Sequence, residues 1–211
     1  MFEGVIFDMD GVLLDSEEYI CEAAVRFFAE KGVEVKHEDF VPFVGMGENR
    51  YLGGVAENYG VPLDLEPDKI HLYDIYLDLI KGRIAPLPGV LEFINRCKAQ
   101  AIKISVATSA DRPKMIGNLK ELQLAPELFD ALVNGSEVER KKPFPDLFLT
   151  AAHRMHVPPE HCLVVEDAPA GVRAAKAAGS LCLALTTSFP RDRLEGADWY
   201  AENLAGALHL L

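Results

Sequence analysis

Apolar positions along the chain follow two periods. Val5, Ile6 and Phe7 form a short run beside Gly4, bounded by turn residues, which reads as a strand; a run so uniformly apolar fits burial on both faces, as in a parallel sheet. From Asp15 to about Gly82 the spacing is helical throughout. Asp15 or Ser16 is placed to cap a helix with Glu17 and Glu18 in its first turn and Ile20, Ala24, Phe27 and Phe28 on its apolar face, stopping at Gly32. A second helix is expected from Glu48 to Asn58, with its stop at Gly60. A third begins near Pro67 and carries Ile70, Tyr73, Leu77 and Ile80 on one face before Gly82. After Pro86-Leu87-Pro88-Gly89, strands alternate with helices. The strands read as Ile102 to Thr108, Ala131 to Asn134, Leu163 to Glu166 and Leu181 to Leu185, and the helices lie near Gly89 to Lys98, Pro113 to Leu122, Asp146 to Met155 and Pro169 to Ala178.

This alternation predicts an α/β fold, a doubly wound parallel sheet to which the first strand also belongs, with an all-helical block inserted after that strand. The expected division is 1–14 and 87–211 for the sheet domain and 15–86 for the insert. Two connections cross it, near Leu14 to Ser16 and Gly82 to Pro88, and the proline-rich second one suits a hinge.

Composition narrows the partners. The chain has 211 residues, 49% of them hydrophobic, enough to bury a substantial core. Its formal net charge of -12 argues against nonspecific binding to nucleic acid or an anionic membrane, both of which need a positive field, and an anionic substrate would need a local cation. Cys21, Cys97, Cys162 and Cys182 lie far apart in apolar stretches with no CxxC, which reads as reduced thiols inside a cell. No basic segment followed by a long apolar run opens the chain, and no stretch reaches the roughly 18 apolar residues of a membrane span. A soluble, cytoplasmic monomer is expected.

The chemistry gathers at strand ends. Asp8 and Asp10 stand where the first strand meets Gly11, the position at which open α/β sheets hold their ligands. Thr108-Ser109 ends the next strand, Lys142-Pro143 lies in the loop after the third, and Glu166-Asp167 ends the fourth. Each has a plainer reading alone: a turn at Asp10-Gly11, a helix cap at Thr108 or more suitably at Asp111, a surface charge at Lys142, a cap at Glu166-Asp167. Their convergence on one sheet edge is what points to a site. Two acids, a hydroxyl, a lysine and a further acid pair, with no histidine among them, fit phosphoryl transfer, in which a carboxylate is already a nucleophile at neutral pH but repels a phosphate dianion unless a cation shields it. Asp8 and Asp167 supply hard oxygen ligands for magnesium, Lys142 and Thr108 can hold the transferring phosphoryl oxygens, and Asp10 can protonate a leaving alkoxide and then accept a proton from water.

With these motifs in this order, Asp8-Met9-Asp10-Gly11-Val12, Thr108-Ser109, Lys142-Pro143 and Glu166-Asp167-Ala168-Pro169-Ala170-Gly171, the chain resembles a haloacid dehalogenase superfamily phosphatase with a helical cap after its first core motif. The resemblance covers essentially the whole chain and lies in the β-phosphoglucomutase-like branch. It implies a Rossmann-like core, Asp8 as aspartyl-phosphate nucleophile and magnesium ligand, and Asp10 as acid/base and a further ligand through its main-chain carbonyl. Thr108 and Lys142 would bind phosphate, Asp167 would bind Mg2+, and Glu166 would be a direct or water-mediated second acid.

Substrate choice then falls to the cap, chiefly the helix after Asp15 and the loop Val44-Gly45-Met46-Gly47-Glu48-Asn49-Arg50. Gly45-Met46-Gly47-Glu48 with Gly53-Gly54-Val55-Ala56, and Thr108-Ser109-Ala110-Asp111-Arg112 in the core, resemble broad-range sugar-phosphate phosphatases, and Glu48, Asn49 and Arg50 offer acceptor, mixed and donor groups suited to a polyol. A small phosphorylated metabolite, a sugar or polyol phosphate bound by Ser109, Glu48, Asn49 and Arg50, is therefore the expected substrate. The alternative is a β-phosphoglucomutase-like mutase, whose matching text has a histidine where this chain has Ile20 and an arginine where it has Glu48; a non-catalytic binding module is the remote third reading. His153 and His156, spaced i, i+3, lack a third metal ligand, and Asn134-Gly135-Ser136 reads as a turn rather than a glycosylation site.

Overall fold

The computed structural model describes residues 2–44 and 46–211. Six strands, β1 (Gly4–Phe7), β2 (Lys103–Ala107), β3 (Ala131–Val133), β4 (Cys162–Glu166), β5 (Leu181–Leu185) and β6 (Trp199–Ala201), form one sheet in the order β3-β2-β1-β4-β5-β6. Every neighbouring pair is parallel, with Ile6 in register with Ser105 on one side and Val164 on the other. The apolar text of β1 is explained by this central place: all four of its residues are buried.

Helices cover both faces. Val5 and Phe7 join Ile104, Val106, Leu163 and Val165 in one cluster, against α4 (Val90–Ala99) and α5 (Arg112–Glu121). Ile6 points the other way, with Ala107, Val164 and Ala184, into a second cluster formed with α6 (Asp146–Met155) and α7 (Pro169–Ala177). The period-two alternation of the strands therefore builds two cores from one sheet. The expected strands are present. β6 is an addition the sequence did not announce, because it is only three residues long, too short to show a period, and all three are only half-buried.

The inserted helices α1 (Glu17–Glu30), α2 (Glu48–Tyr59) and α3 (Leu65–Ile80) share a third cluster of their own, built around Phe27, Phe28, Phe40, Leu52 and Tyr76. Gly45 of the expected cap loop lies outside the described residues. Two local expectations are corrected. α3 starts at Leu65, ahead of Pro67, and buries Leu72, Tyr73, Tyr76, Leu79 and Ile80, while Ile70 is exposed; with apolar residues all round this helix, periodicity could not choose its face. Ser16 and Asp111 occupy the N-cap positions of α1 and α5, but neither side chain caps its helix, since both are drawn to other partners described below.

The two connections between the helical block and the sheet run side by side. Leu14 bridges Pro86 in antiparallel fashion, and the Leu87 N–H donates to Leu13 O at 2.9 Å. The helical block thus stands above the carboxyl ends of the strands. No helix among the described residues is long and apolar enough to cross a membrane, and the four cysteines are buried and unpaired.

Candidate active site

Strand register brings the sequence motifs together. Phe7 is opposite Val106 and Val165, so the next residue, Asp8, emerges beside Ala107 and Glu166, with Thr108 one residue further along, and its N–H donates to Val165 O at 3.0 Å. The chain then turns away: Gly11 has φ +77°, and a Cβ there would overlap the Asp167 carboxylate, so this turn needs glycine for both conformation and space.

Lys142 reaches the end of β1 from the loop after β3. Its Nζ lies 2.6 Å from Asp8 Oδ1 and also pairs with Glu166, with both partners nearly removed from solvent. Burial alone would lower the lysine pKa, but Asp8 and Glu166 outweigh it and hold the ammonium well above its usual range. The carboxylates move upward. Burial raises Asp8 to about 7, with Lys142 opposing and Glu166 and Asp10 adding, and burial raises Asp167 well above the carboxylate range, with Glu166 and Asp8 adding to it. Glu166 also accepts the N–H groups of Asp167 and Ala168 at 2.9 and 3.0 Å, which fixes the loop leading into α7.

Asp8, Glu166 and Asp167 offer oxygens that all lie within 4.8 Å of one another. Three buried carboxylates face a single ammonium, so the ionised cluster needs a further positive charge, and an all-oxygen set of this kind fits a hard divalent cation. Asp167 is 4% exposed and, among the described residues, forms no ion pair with a lysine or arginine, which fits a carboxylate that a cation would balance.

Thr108 is buried, its N–H bonded to Val133 O at 3.0 Å, and its Oγ1 accepts the Ala110 N–H at 3.1 Å. Asp10 accepts from the Ser16 hydroxyl on one oxygen and from Lys114 at 3.0 Å on the other. A cavity of about 80 Å³ is lined by Asp8, Asp10, Thr108, Ser109, Lys142, Asp167 and Glu48, with Glu17, Ile20, Phe43 and Tyr51 from the helical side. Of the expected cap residues, Asn49 and Arg50 do not line it: Asn49 accepts from Lys69 at 3.0 Å, and Arg50 pairs with Glu57 at 3.0 Å and lies over the Phe43 ring.

Sequence reading missed two lysines. Lys114 on α5 is buried between Asp10 and Glu48, at 3.0 and 3.3 Å, and Lys69 on α3 pairs with Asp111 at 2.6 Å. Nothing in the sequence alone marked them; in the fold, Asn118 shares the Lys114 face at i, i+4 and, buried, accepts from the Tyr76 hydroxyl at 2.7 Å.

A sequence model described as haloacid dehalogenase-like hydrolase matches residues 5–185. The chain is 45% identical over 196 residues to Protein SUPPRESSOR OF QUENCHING 1, chloroplastic, of Arabidopsis thaliana, covering 92% of this chain but only 19% of that protein. It is 34% identical over 181 residues to the Phosphorylated carbohydrates phosphatase of Thermotoga maritima, covering 84% of this chain and 82% of the other. Among solved structures, CbbY from Rhodobacter sphaeroides in complex with phosphate superposes with a TM-score of 0.89 at 28% identity, over 97% of this chain and 96% of that one.

Proposed function

The chain belongs to the haloacid dehalogenase-like hydrolases, and we propose that it is a magnesium-dependent phosphatase that hydrolyses small sugar or polyol phosphates through an aspartyl-phosphate on Asp8. The observation that carries this reading is the buried Asp8 carboxylate held 2.6 Å from Lys142 beside Asp167, in a cavity that also contains Asp10. The relatives named as phosphatases, and the phosphate bound to CbbY, support the reaction class.

Asp8, Asp167 and the main-chain carbonyl of Asp10 would hold the cation, with Glu166 as a direct or water-mediated fourth group. Once bound, it neutralises the negative charge that otherwise keeps a phosphate dianion from a carboxylate. Lys142 and the Thr108 hydroxyl hold the phosphoryl oxygens. Asp8 attacks phosphorus, the bond to the ester oxygen breaks, and Asp10 gives its proton to the departing alkoxide. Asp10 then takes a proton from water as the water oxygen attacks phosphorus; the bond to Asp8 breaks, phosphate leaves and the carboxylate is restored. Ser16 and Lys114 hold Asp10 in place for both transfers. Residues 15–86 act as a cap that excludes bulk water during turnover and opens to exchange substrate for product.

The test is phosphate release from a panel of sugar, polyol, glycolytic and nucleotide monophosphates, with and without Mg2+. Release that is abolished by chelation and by Asp8→Asn is the expected result. Formation of glucose 6-phosphate from β-glucose 1-phosphate faster than phosphate appears would make the enzyme a mutase instead.

A further inference from the structure

We infer that the part of the cavity away from Asp8 selects an uncharged, hydroxyl-bearing leaving group and rejects a second phosphate or a carboxylate, with Glu48 as the specificity-determining residue. This rests on the phosphatase reading above and names the substrate class of that same site.

The charges divide by region. Asp8, Asp167 and Lys142 belong to the phosphoryl end, and Asp10 to proton transfer. Beyond them the cavity is lined by the carboxylates Asp15, Glu17 and Glu48, against which stands one cation, Lys114. That ammonium is already matched twice, by Asp10 at 3.0 Å and Glu48 at 3.3 Å, and is therefore no anchor for a second anion. Arg50, the guanidinium carried by the cap loop, is held outward by Glu57 at 3.0 Å.

Two orphaned polar atoms indicate what does fit. Glu48 is 5% exposed; its Oε1 faces Lys114 and its carboxylate neighbours the buried Tyr73 hydroxyl, which accepts the Asp111 N–H, while its buried Oε2 accepts no hydrogen bond among the described residues. Ser109 is 8% exposed, and its buried Oγ is likewise without a partner. Both residues line the cavity, one from the helical side and one from the sheet side. A buried carboxylate oxygen left without a donor is costly, and a hydroxyl of the substrate supplies that donor, whereas a phosphate or carboxylate brings a further negative charge and no proton to share. Glu48 thus attracts and excludes at once, the combination from which specificity is built.

The experiment uses the magnesium-loaded enzyme and pairs of esters that differ at the end remote from the phosphate: glycerol 3-phosphate against 3-phosphoglycerate, glucose 6-phosphate against 6-phosphogluconate, and fructose 1-phosphate against fructose 1,6-bisphosphate. p-Nitrophenyl phosphate, whose leaving group lacks both features, reports the phosphatase reaction itself. For each ester kcat/KM is measured, or Ki against p-nitrophenyl phosphate where it is not turned over. The uncharged member of each pair is expected to be favoured by about tenfold or more, and Glu48→Gln to shrink that ratio by about tenfold by removing the repelling charge. Ratios near one in the parent enzyme overturn the inference, as does a folded Glu48→Gln enzyme that discriminates as before. The parent ratios carry the test if Glu48→Gln does not fold. Failure to hydrolyse p-nitrophenyl phosphate and every ester removes the phosphatase reading and this inference with it.

Discussion

Lys69 on α3 and Asp111 at the start of α5 form an ion pair at 2.6 Å with both side chains more than nine-tenths buried, and this pair ties the helical block to the sheet domain beside the cavity. Asp111 is also approached by Lys141 at 3.4 Å, so it keeps a cation when Lys69 is removed. Lys69→Met is therefore expected to loosen cap closure without dismantling the core. kcat/KM for the preferred ester should fall about tenfold, while Mg2+ affinity measured by calorimetry stays the same. Equal losses in both would assign Lys69 to the fold of the core.

Asp8 and Lys142 are expected to fail differently. Asp8→Asn keeps the shape but removes the proposed nucleophile, so kcat should drop about a thousandfold or more, with no phosphoenzyme recovered after an acid quench. Lys142→Met leaves Asp8 and Glu166 buried without their cation, and in chelator the loss of stability should reach about 3 kcal/mol, read from urea denaturation. Comparable denaturation midpoints for this variant and the parent would show that the pair contributes nothing to folding.

The acid cluster predicts a pH-dependent response to metal. In the metal-free protein burial raises Asp8 to about 7 from its ordinary 3.8, and Asp167 moves the same way. A carboxyl raised on folding stabilises the fold below its unfolded pKa and loses that contribution as pH rises through the folded value, so metal-free Tm should decline across about pH 4 to 7 on account of these groups. Mg2+, which would bind the ionised forms, is expected to reverse the decline. Its Tm increment should be small near about pH 5 and large near about pH 8 in thermal shift assays, and Asp8→Asn should flatten the trend. An increment that is constant across this range would place metal binding elsewhere.

How much of this was legible follows from where each signal resides. The motifs at Asp8, Thr108, Lys142 and Asp167 could be read because each follows a recognisable apolar strand, and parallel register carries consecutive strand ends to one edge. Lys114 was not legible. Its partners Asp10 and Glu48 lie on other elements, and a lysine on a helix of mixed polarity reads as solvated until the opposing helix is in place. Ser16 reads as a helix cap by position, yet its hydroxyl is taken by Asp10, a preference set by the fold rather than by neighbouring residues. Asn49 and Arg50 looked as suitable as Glu48 for a polyol, but on a helix three consecutive residues point in three directions, and only Glu48 turns into the cavity.

Two helical glycines separate packing from propensity. Gly171 lies in the first turn of α7, and a Cβ there would overlap the carboxylate of Glu166, the group that pairs with Lys142 and accepts the Asp167 and Ala168 N–H groups. Gly53 lies inside α2 with nothing within 4 Å of its Cβ position and an ordinary helical backbone. Alanine is the better helix former at both positions, so propensity alone predicts a gain of about 0.5–1 kcal/mol for each substitution. Gly53→Ala should deliver that gain with kcat unchanged. Gly171→Ala should do the opposite, because Glu166 must move to admit the methyl group and takes with it the ion pair and the loop that positions Asp167. Activity at limiting Mg2+ should fall about tenfold or more, with part of the loss recovered at high Mg2+, since the disturbed group belongs to the cluster that would hold the cation. Urea denaturation and a Mg2+ titration of activity on the two variants check both halves, and a Gly171→Ala enzyme as stable and as tight for Mg2+ as the parent would show that Glu166 has room the packing denies it.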